Sequence, residues 1–273
     1  MDKNKKNSLY KVIFSILIIA MFSICTIYLS NTEEKNTAVT NSNALSNQKI
    51  GWGIKRNNNN EQPDVGKKNQ SVLEQNNGIC LGNKEKKVIY LTFDEGYEAG
   101  YTSKILEVLK QNDVKATFFI TAHYLNTQEQ LVKQMLEEGH IVGNHTVNHK
   151  SMPSLSDEQV NTEVMKLHQS IYEKFAYEMK YIRPPMGEYS ERTLNITKSL
   201  GYKTVMWSFA YKDWDEKNQP DESKAKEMVI SNLHNGEIML LHGNSKTNTN
   251  ILDSIIKEIK NKGYEIKSLD EFE

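Results

Sequence analysis

Two histidines four residues apart frame the segment His145-Thr146-Val147-Asn148-His149, and two adjacent carboxylates, Asp94 and Glu95, stand earlier in the chain. Imidazoles at i and i+4 face the same way on one helical turn. Joined by a carboxylate they give a set of two imidazoles and one acid, a zinc-type site that leaves positions open for water and substrate. Of two neighbouring acids, one can ligate the metal while the other acts as base on metal-bound water. The histidine pair by itself is more simply two unrelated surface residues. The acids change that balance, and so do Arg183, Asp213 and His242, further groups of acid-base type at regular places along the chain.

Those places are set by the elements that must carry them. From Val88 onward, short β-branched or aromatic runs alternate with amphipathic stretches. The runs are Val88 to Phe93, Ala116 to Ile120, Ile141-Val142, Tyr181-Ile182, Lys203 to Trp207, Glu237 to Leu241 and Tyr264 to Ile266. Ser156 with Gln159 three residues on predicts a capping box at the start of one helix. Gly139, Gly201 and Gly263 stand where left-handed C-caps are needed. About seven such units predict an α/β domain with a parallel sheet, open or closed as a barrel. Asp94 and Glu95, His145, Arg183, Asp213 and His242 all fall at or beyond the C-terminal ends of strands, the rim where such folds assemble active sites.

Five segments in order, Thr92-Phe93-Asp94-Glu95-Gly96, His145-x3-His149, Arg183-Pro184-Pro185-Met186-Gly187, Asp213-Trp214 and Leu240-x-His242, resemble the motifs of the polysaccharide deacetylases, carbohydrate esterases with a NodB-type domain. The resemblance runs from about Val88 to the end of the chain. It implies a distorted (β/α) barrel and a divalent metal, zinc first among candidates, serving hydrolysis of N-acetyl groups on amino sugars. It makes Asp94 the general base and Arg183 its partner, with Glu95, His145 and His149 as metal ligands. It makes His242 the general acid, with Asp213 favouring its imidazolium form. It places the Met186 backbone N–H at the oxyanion, and Trp214 and Leu240 around the acetyl methyl. The family's usual Asp is Glu95 here, and its frequent Tyr is Met186. Tyr211 and His123 are further candidates to touch the sugar.

Three longer stretches, Thr92 to Glu98, Trp207 to Trp214 and Leu241 to Thr247, resemble more narrowly the muramic-acid δ-lactam-forming deacetylases of spore formers. That likeness implies N-acetylmuramic acid of peptidoglycan as substrate, deacetylated during cortex formation. Two other readings stand beside it: a deacetylase of N-acetylglucosamine or chitin-type glycans, and an inactive glycan-binding protein in which Glu95 has disabled the metal.

The rest of the 273 residues adds place rather than chemistry. With 34 Lys and Arg against 35 Asp and Glu, the net charge of −1 offers no basic field for nucleic acid. Two cysteines, Cys25 and Cys80, exclude a disulfide scaffold or a CxxC zinc site. Lys3, Lys5, Lys6 and Lys11 precede an uncharged apolar run from Val12 to Leu29. This predicts a single-pass membrane anchor or uncleaved signal over 1–30, with the remainder outside the cytoplasm. Residues 31–85, rich in Asn, Gln, Ser and Lys, read as a largely flexible polar linker. Its Trp52-Gly53 island is a possible docking extension from about residue 50. The catalytic domain is expected over 86–273, as a monomer acting on peptidoglycan glycan strands.

Overall fold

The computed structural model describes residues 45–57 and 60–273. The apolar run expected to cross a membrane lies outside the described residues. Among those described, no helix is long and apolar enough to span a bilayer.

Seven parallel strands form the frame: Val88–Glu95, Thr117–Ile120, Ile141–Asn144, Tyr181–Ile182, Lys203–Val205, Glu237–His242 and Glu265–Lys267. Each of the seven expected runs supplies one. Val88–Glu95 is the central strand, and a strand has two edges. Glu237–His242 takes one edge over residues 89–94, so Thr117–Ile120 and Glu265–Lys267 share the other, at 92–95 and 88–90. The sheet continues from Thr117–Ile120 through the next three strands in chain order. Beyond them, Phe209 bridges Met239, and the Leu240 N–H donates to the Phe209 carbonyl at 2.9 Å. The curled parallel sheet with its outer helices is consistent with the distorted (β/α) barrel that the sequence predicts.

Alternation along the central strand sorts its side chains. All eight residues are buried, as in a parallel strand covered on both faces. Ile89, Leu91 and Phe93 point outward and join the core of Ile105, Leu106 and Leu109 on the helix Thr102–Gln111. Val88 and Tyr90 belong to a separate inner cluster with Phe119, Ile141, Tyr181 and Ile238. Period-two geometry then puts Asp94 on the inner face and Glu95 on the helix side.

Local signals in the helices hold as expected. Ser156 and Gln159 close a capping box on the helix Asp157–Phe175. Gly139, Gly201 and Gly263 adopt positive φ at helix ends, where a Cβ would be strained.

Residues 46–85 depart from the flexible linker that their composition suggests. The compact unit begins at Ser46. Its N-terminal part carries the strand Ile50–Gly51, the helix Lys67–Gln75 and the strand Gly78–Ile79. Trp52, Val65, Leu73 and Cys80 bury themselves with Tyr189, Leu194 and Met206 in a third cluster. A few well-spaced apolar residues suffice here because the barrel supplies the rest of the core, each buried side chain contributing about 1.5–3 kcal/mol. Mean composition of the segment does not register them.

Candidate active site

The site opens at the C-terminal ends of the strands as a cleft of about 1100 Å³. Topology makes its first pairing. In the parallel register Asp94 lies beside His242, so the two side chains stand on neighbouring strands and share one face. Both line the cleft, with His145 and His149.

Asp94 is held from behind by Arg183, which follows the strand Tyr181–Ile182. The Arg183 Nη1 donates to Asp94 Oδ1 at 2.8 Å, its Nε donates to the Val205 carbonyl at 3.1 Å, and its guanidinium lies 4.2 Å from the centre of the Phe119 ring. Arg183 is wholly buried, so its direction is fixed by packing. Burial alone would raise the Asp94 carboxyl, but Arg183, with His145 and His242, outweighs it and holds the acid below the ordinary range. Asp94 is therefore a carboxylate at neutral pH.

His242 is governed by Asp213, which is buried in the loop after Lys203–Val205. One Asp213 oxygen meets the His242 Nδ1 at 2.7 Å; the other accepts the His242 backbone N–H at 2.9 Å and the Asn248 side-chain amide at 2.5 Å. A carboxylate only accepts, so Nδ1 carries a proton and Nε2 is left to exchange one. Burial pulls the ring's pKa down, yet Asp213 more than offsets it and the pKa is raised. The imidazolium persists to higher pH than in free histidine.

His145 and His149 meet as expected, but not on a helical turn. Thr146 and His149 take positive φ, 68° and 53°, which a helix does not allow. The turn is tied instead by side chains. Asn144 Oδ1 accepts the Thr146 N–H, Thr146 Oγ1 accepts the His149 N–H, and Glu163 accepts from both the backbone and the amide of Asn148 at 2.7 Å each. The two Nε2 atoms lie 3.1 Å apart, and His145 Nε2 is 3.5 Å from Asp94 Oδ2. His145 Nδ1 donates to the Arg183 carbonyl at 2.8 Å, which fixes its tautomer. Burial lowers the pKa of both rings, His145 to about 4, so both are neutral at physiological pH.

Glu95 does not join them. Its carboxyl points outward from the barrel, within 3.3 Å of the Thr102 hydroxyl, and does not line the cleft. Burial first, and the neighbouring Glu98 next, push its pKa well up. Its Oε2 has no hydrogen-bond partner among the described residues. A Cβ on Gly243 would fall 1.9 Å from Glu95 Oε1, so Gly243 is what makes room for the longer acid. The expected ligand set of Glu95, His145 and His149 for a divalent metal therefore does not fit. Among the described residues, no three ligating side chains are gathered around a metal position. The two imidazoles face the cleft without the third donor predicted for them.

The other expected contacts all reach the cleft: Met186, Trp214, Leu240, Tyr211 and His123 line it. Met186 and Trp214 are about half exposed and form its rim. Met186 sits in the left-handed region, φ 58° and ψ 9°, in the turn Pro185–Gly187. Such a conformation costs an L-residue about 1–2 kcal/mol, so the surroundings must hold it. Arg183 and Asp213 lie behind the wall and act through Asp94 and His242. Sequence reasoning missed Tyr97 and Asn244 on the cleft, although each lies within three residues of a motif acid or histidine. It also missed Glu163 and Asn248, which bond the motif residues from distant helices and give no local signal.

The comparisons agree with this geometry. Residues 81–205 match the family model described as polysaccharide deacetylase. The chain is 43% identical over 229 residues to the peptidoglycan-N-acetylmuramic acid deacetylase PdaA of Bacillus subtilis, covering 84% of this chain and 87% of the relative. The solved structure of B. subtilis PdaA, a family 4 carbohydrate esterase, superposes with a TM-score of 0.81 at 42% identity, over 84% of this chain and 98% of that one. A peptidoglycan-N-acetylglucosamine deacetylase of Bacillus cereus is 35% identical over 68% of this chain and 88% of its own length.

Proposed function

Because the chain belongs to the polysaccharide deacetylase family, we propose that it hydrolyses N-acetyl groups of amino sugars in peptidoglycan, with N-acetylmuramic acid as the residue deacetylated. One observation carries the chemistry. Asp94, ionised against Arg183, and His242, kept protonated by Asp213, stand side by side on adjacent strands at one cleft. A base and an acid with pKa values driven apart are what amide hydrolysis needs.

In the proposed reaction Asp94 takes a proton from water as its oxygen attacks the acetyl carbonyl carbon. The carbonyl electron pair moves onto oxygen, which the Met186 backbone N–H stabilises. As the tetrahedral adduct collapses, the C–N bond breaks and His242 delivers its proton to the departing amine. Acetate and the free amino sugar result. His145 and His149, both neutral, flank Asp94 and order the water. Trp214 and Leu240 border the methyl, with Tyr211 and His123 along the sugar.

The choice of muramic acid rests on the Bacillus subtilis relative and on the Thr92–Glu98, Trp207–Trp214 and Leu241–Thr247 wording. The B. cereus relative, which acts on N-acetylglucosamine residues, supports the second substrate as the alternative. We further propose that the run Val12 to Leu29 tethers the enzyme to the outer face of the cell membrane, beside its substrate, and that the free muramic amine serves formation of the spore-cortex lactam. Release of acetate from purified peptidoglycan, measured against Asp94→Ala, tests the activity. Release no greater than that variant's would leave a glycan-binding protein in its place.

A further inference from the structure

The segment 46–56 touches the active site without lining it, and the way it touches is specific. The Ser46 carbonyl accepts the Arg192 N–H, and Ile50 and Gly51 pair antiparallel with Tyr189 and Glu188. From there three donors reach inward. The Trp52 backbone N–H donates to the Gly187 carbonyl at 2.8 Å, the Trp52 indole Nε1 donates to the Trp207 carbonyl at 2.9 Å, and Arg56 Nη2 donates to the Ala210 carbonyl at 2.6 Å. Gly187, Trp207 and Ala210 all line the cleft. The segment thus fastens three points of the cleft wall through main-chain oxygens.

Trp52 is the central fastener. Its side chain is 8% exposed, and its ring lies 6.3 Å from that of Tyr189. A Cβ built on Gly187 would come within 2.6 Å of the Trp207 ring and 3.2 Å of the Trp52 Cβ. Gly187, which follows Met186 in the same left-handed region at φ 64° after 58°, therefore sits between the Trp207 ring and the Trp52 Cβ. Two consecutive residues in that region do not hold themselves; neighbours must over-determine them.

We propose that Trp52 is a positioning residue for the reaction: it clamps the Met186–Gly187 turn against Trp207 and so aims the Met186 N–H at the oxyanion. This rests on the deacetylase reading above. An N–H donor serves the transition state only within tenths of an ångström of its place, so loosening the turn lowers turnover and spares glycan affinity.

The test uses the full chain with Trp52→Phe, which removes the indole donor and keeps a ring, and Trp52→Ala, which removes both. Acetate release from peptidoglycan gives kcat and KM at a temperature where circular dichroism shows every variant folded; equilibrium binding to the same glycan gives Kd. We expect kcat to fall about threefold to tenfold in Trp52→Phe and at least tenfold in Trp52→Ala, with Kd within twofold of wild type. If Trp52→Ala does not fold, Trp52→Phe decides. A merely structural role predicts a lower melting temperature with kcat unchanged below it, and that result overturns the proposal. So does a loss confined to KM. A wild-type protein that releases no acetate defeats the deacetylase reading itself, and this proposal with it. An active wild type with indifferent Trp52 variants defeats the clamp alone.

Discussion

Replacing Asp213 by asparagine removes one charge from beside the proton donor and changes little else in volume. In the wild type, Asp213 lies 2.7 Å from His242 Nδ1 and more than cancels the lowering that burial imposes on that ring. An opposite charge at this range is worth about 1–3 pKa units, or roughly 1.4–4 kcal/mol at 1.36 kcal/mol per unit. The Asp213→Asn variant leaves burial in command, so His242 loses its proton at lower pH. The sign follows directly. His242 must be protonated to act, so the alkaline limb of kcat, which wild type places above the ordinary histidine value, moves down by about 1–3 units. On that limb the rate falls about tenfold per unit, while at pH well below the variant's own limb the two rates agree. The folded state shows the same linkage. The stability that the raised His242 pKa confers on wild type is full below the ordinary value and is lost as pH rises through the raised one. The variant lacks this loss but carries another cost. The second Asp213 oxygen accepts two donors, from His242 and Asn248. An amide nitrogen there would face both, at about 1–3 kcal/mol. Acetate release followed from about pH 5 to pH 10 in both proteins makes the comparison. An alkaline limb that stays within about 0.3 unit of wild type would refute the assignment of His242 as acid under Asp213's control.

His242→Ala should lower kcat by about 10²–10⁴-fold, the range for a positioned proton donor, and a loss under tenfold would remove it from that role. Glu95→Gln is close to isosteric and removes a charge that burial already disfavours; it should keep kcat within about threefold and leave the divalent-cation content of the purified protein unchanged by elemental analysis. Loss of both in a folded Glu95→Gln protein would restore Glu95 as a ligand. Gly243→Ala drives a methyl group into the Glu95 carboxyl and should destabilise by about 1–3 kcal/mol in denaturant titration. Glu95→Asp should recover part of that loss in the double variant, since the two sites share one space. Additive effects would contradict the packing described.

The sequence carries the barrel legibly because its central strands are apolar runs buried on both faces and several of its helices are stopped by a glycine or opened by a cap. Asp94, His145, Arg183 and His242 are legible for the same reason: strand ends put them on one rim. Glu95 is where adjacency misleads. Two neighbours on a strand point to opposite faces, so the acid next to the base belongs to the helix layer unless the strand has already ended, and here the strand runs through Glu95. The histidine spacing misleads in a smaller way. It promises a helical turn, but His145 and His149 converge through left-handed backbone at Thr146 and His149, held by Asn144 and Glu163, side chains distant or unmarked in sequence. The segment 46–85 is hidden by averaging. Its polar composition outweighs Trp52, Val65, Leu73 and Cys80, yet these four pack with Tyr189, Leu194 and Met206.

The most direct measurement is mass spectrometry of peptidoglycan digested after exposure to the purified full chain, beside a sample exposed to Asp94→Ala. The account predicts muropeptides whose muramic acid lacks one acetyl group in the first sample and not in the second. Muramic acid that keeps its acetyl group in both samples would contradict it.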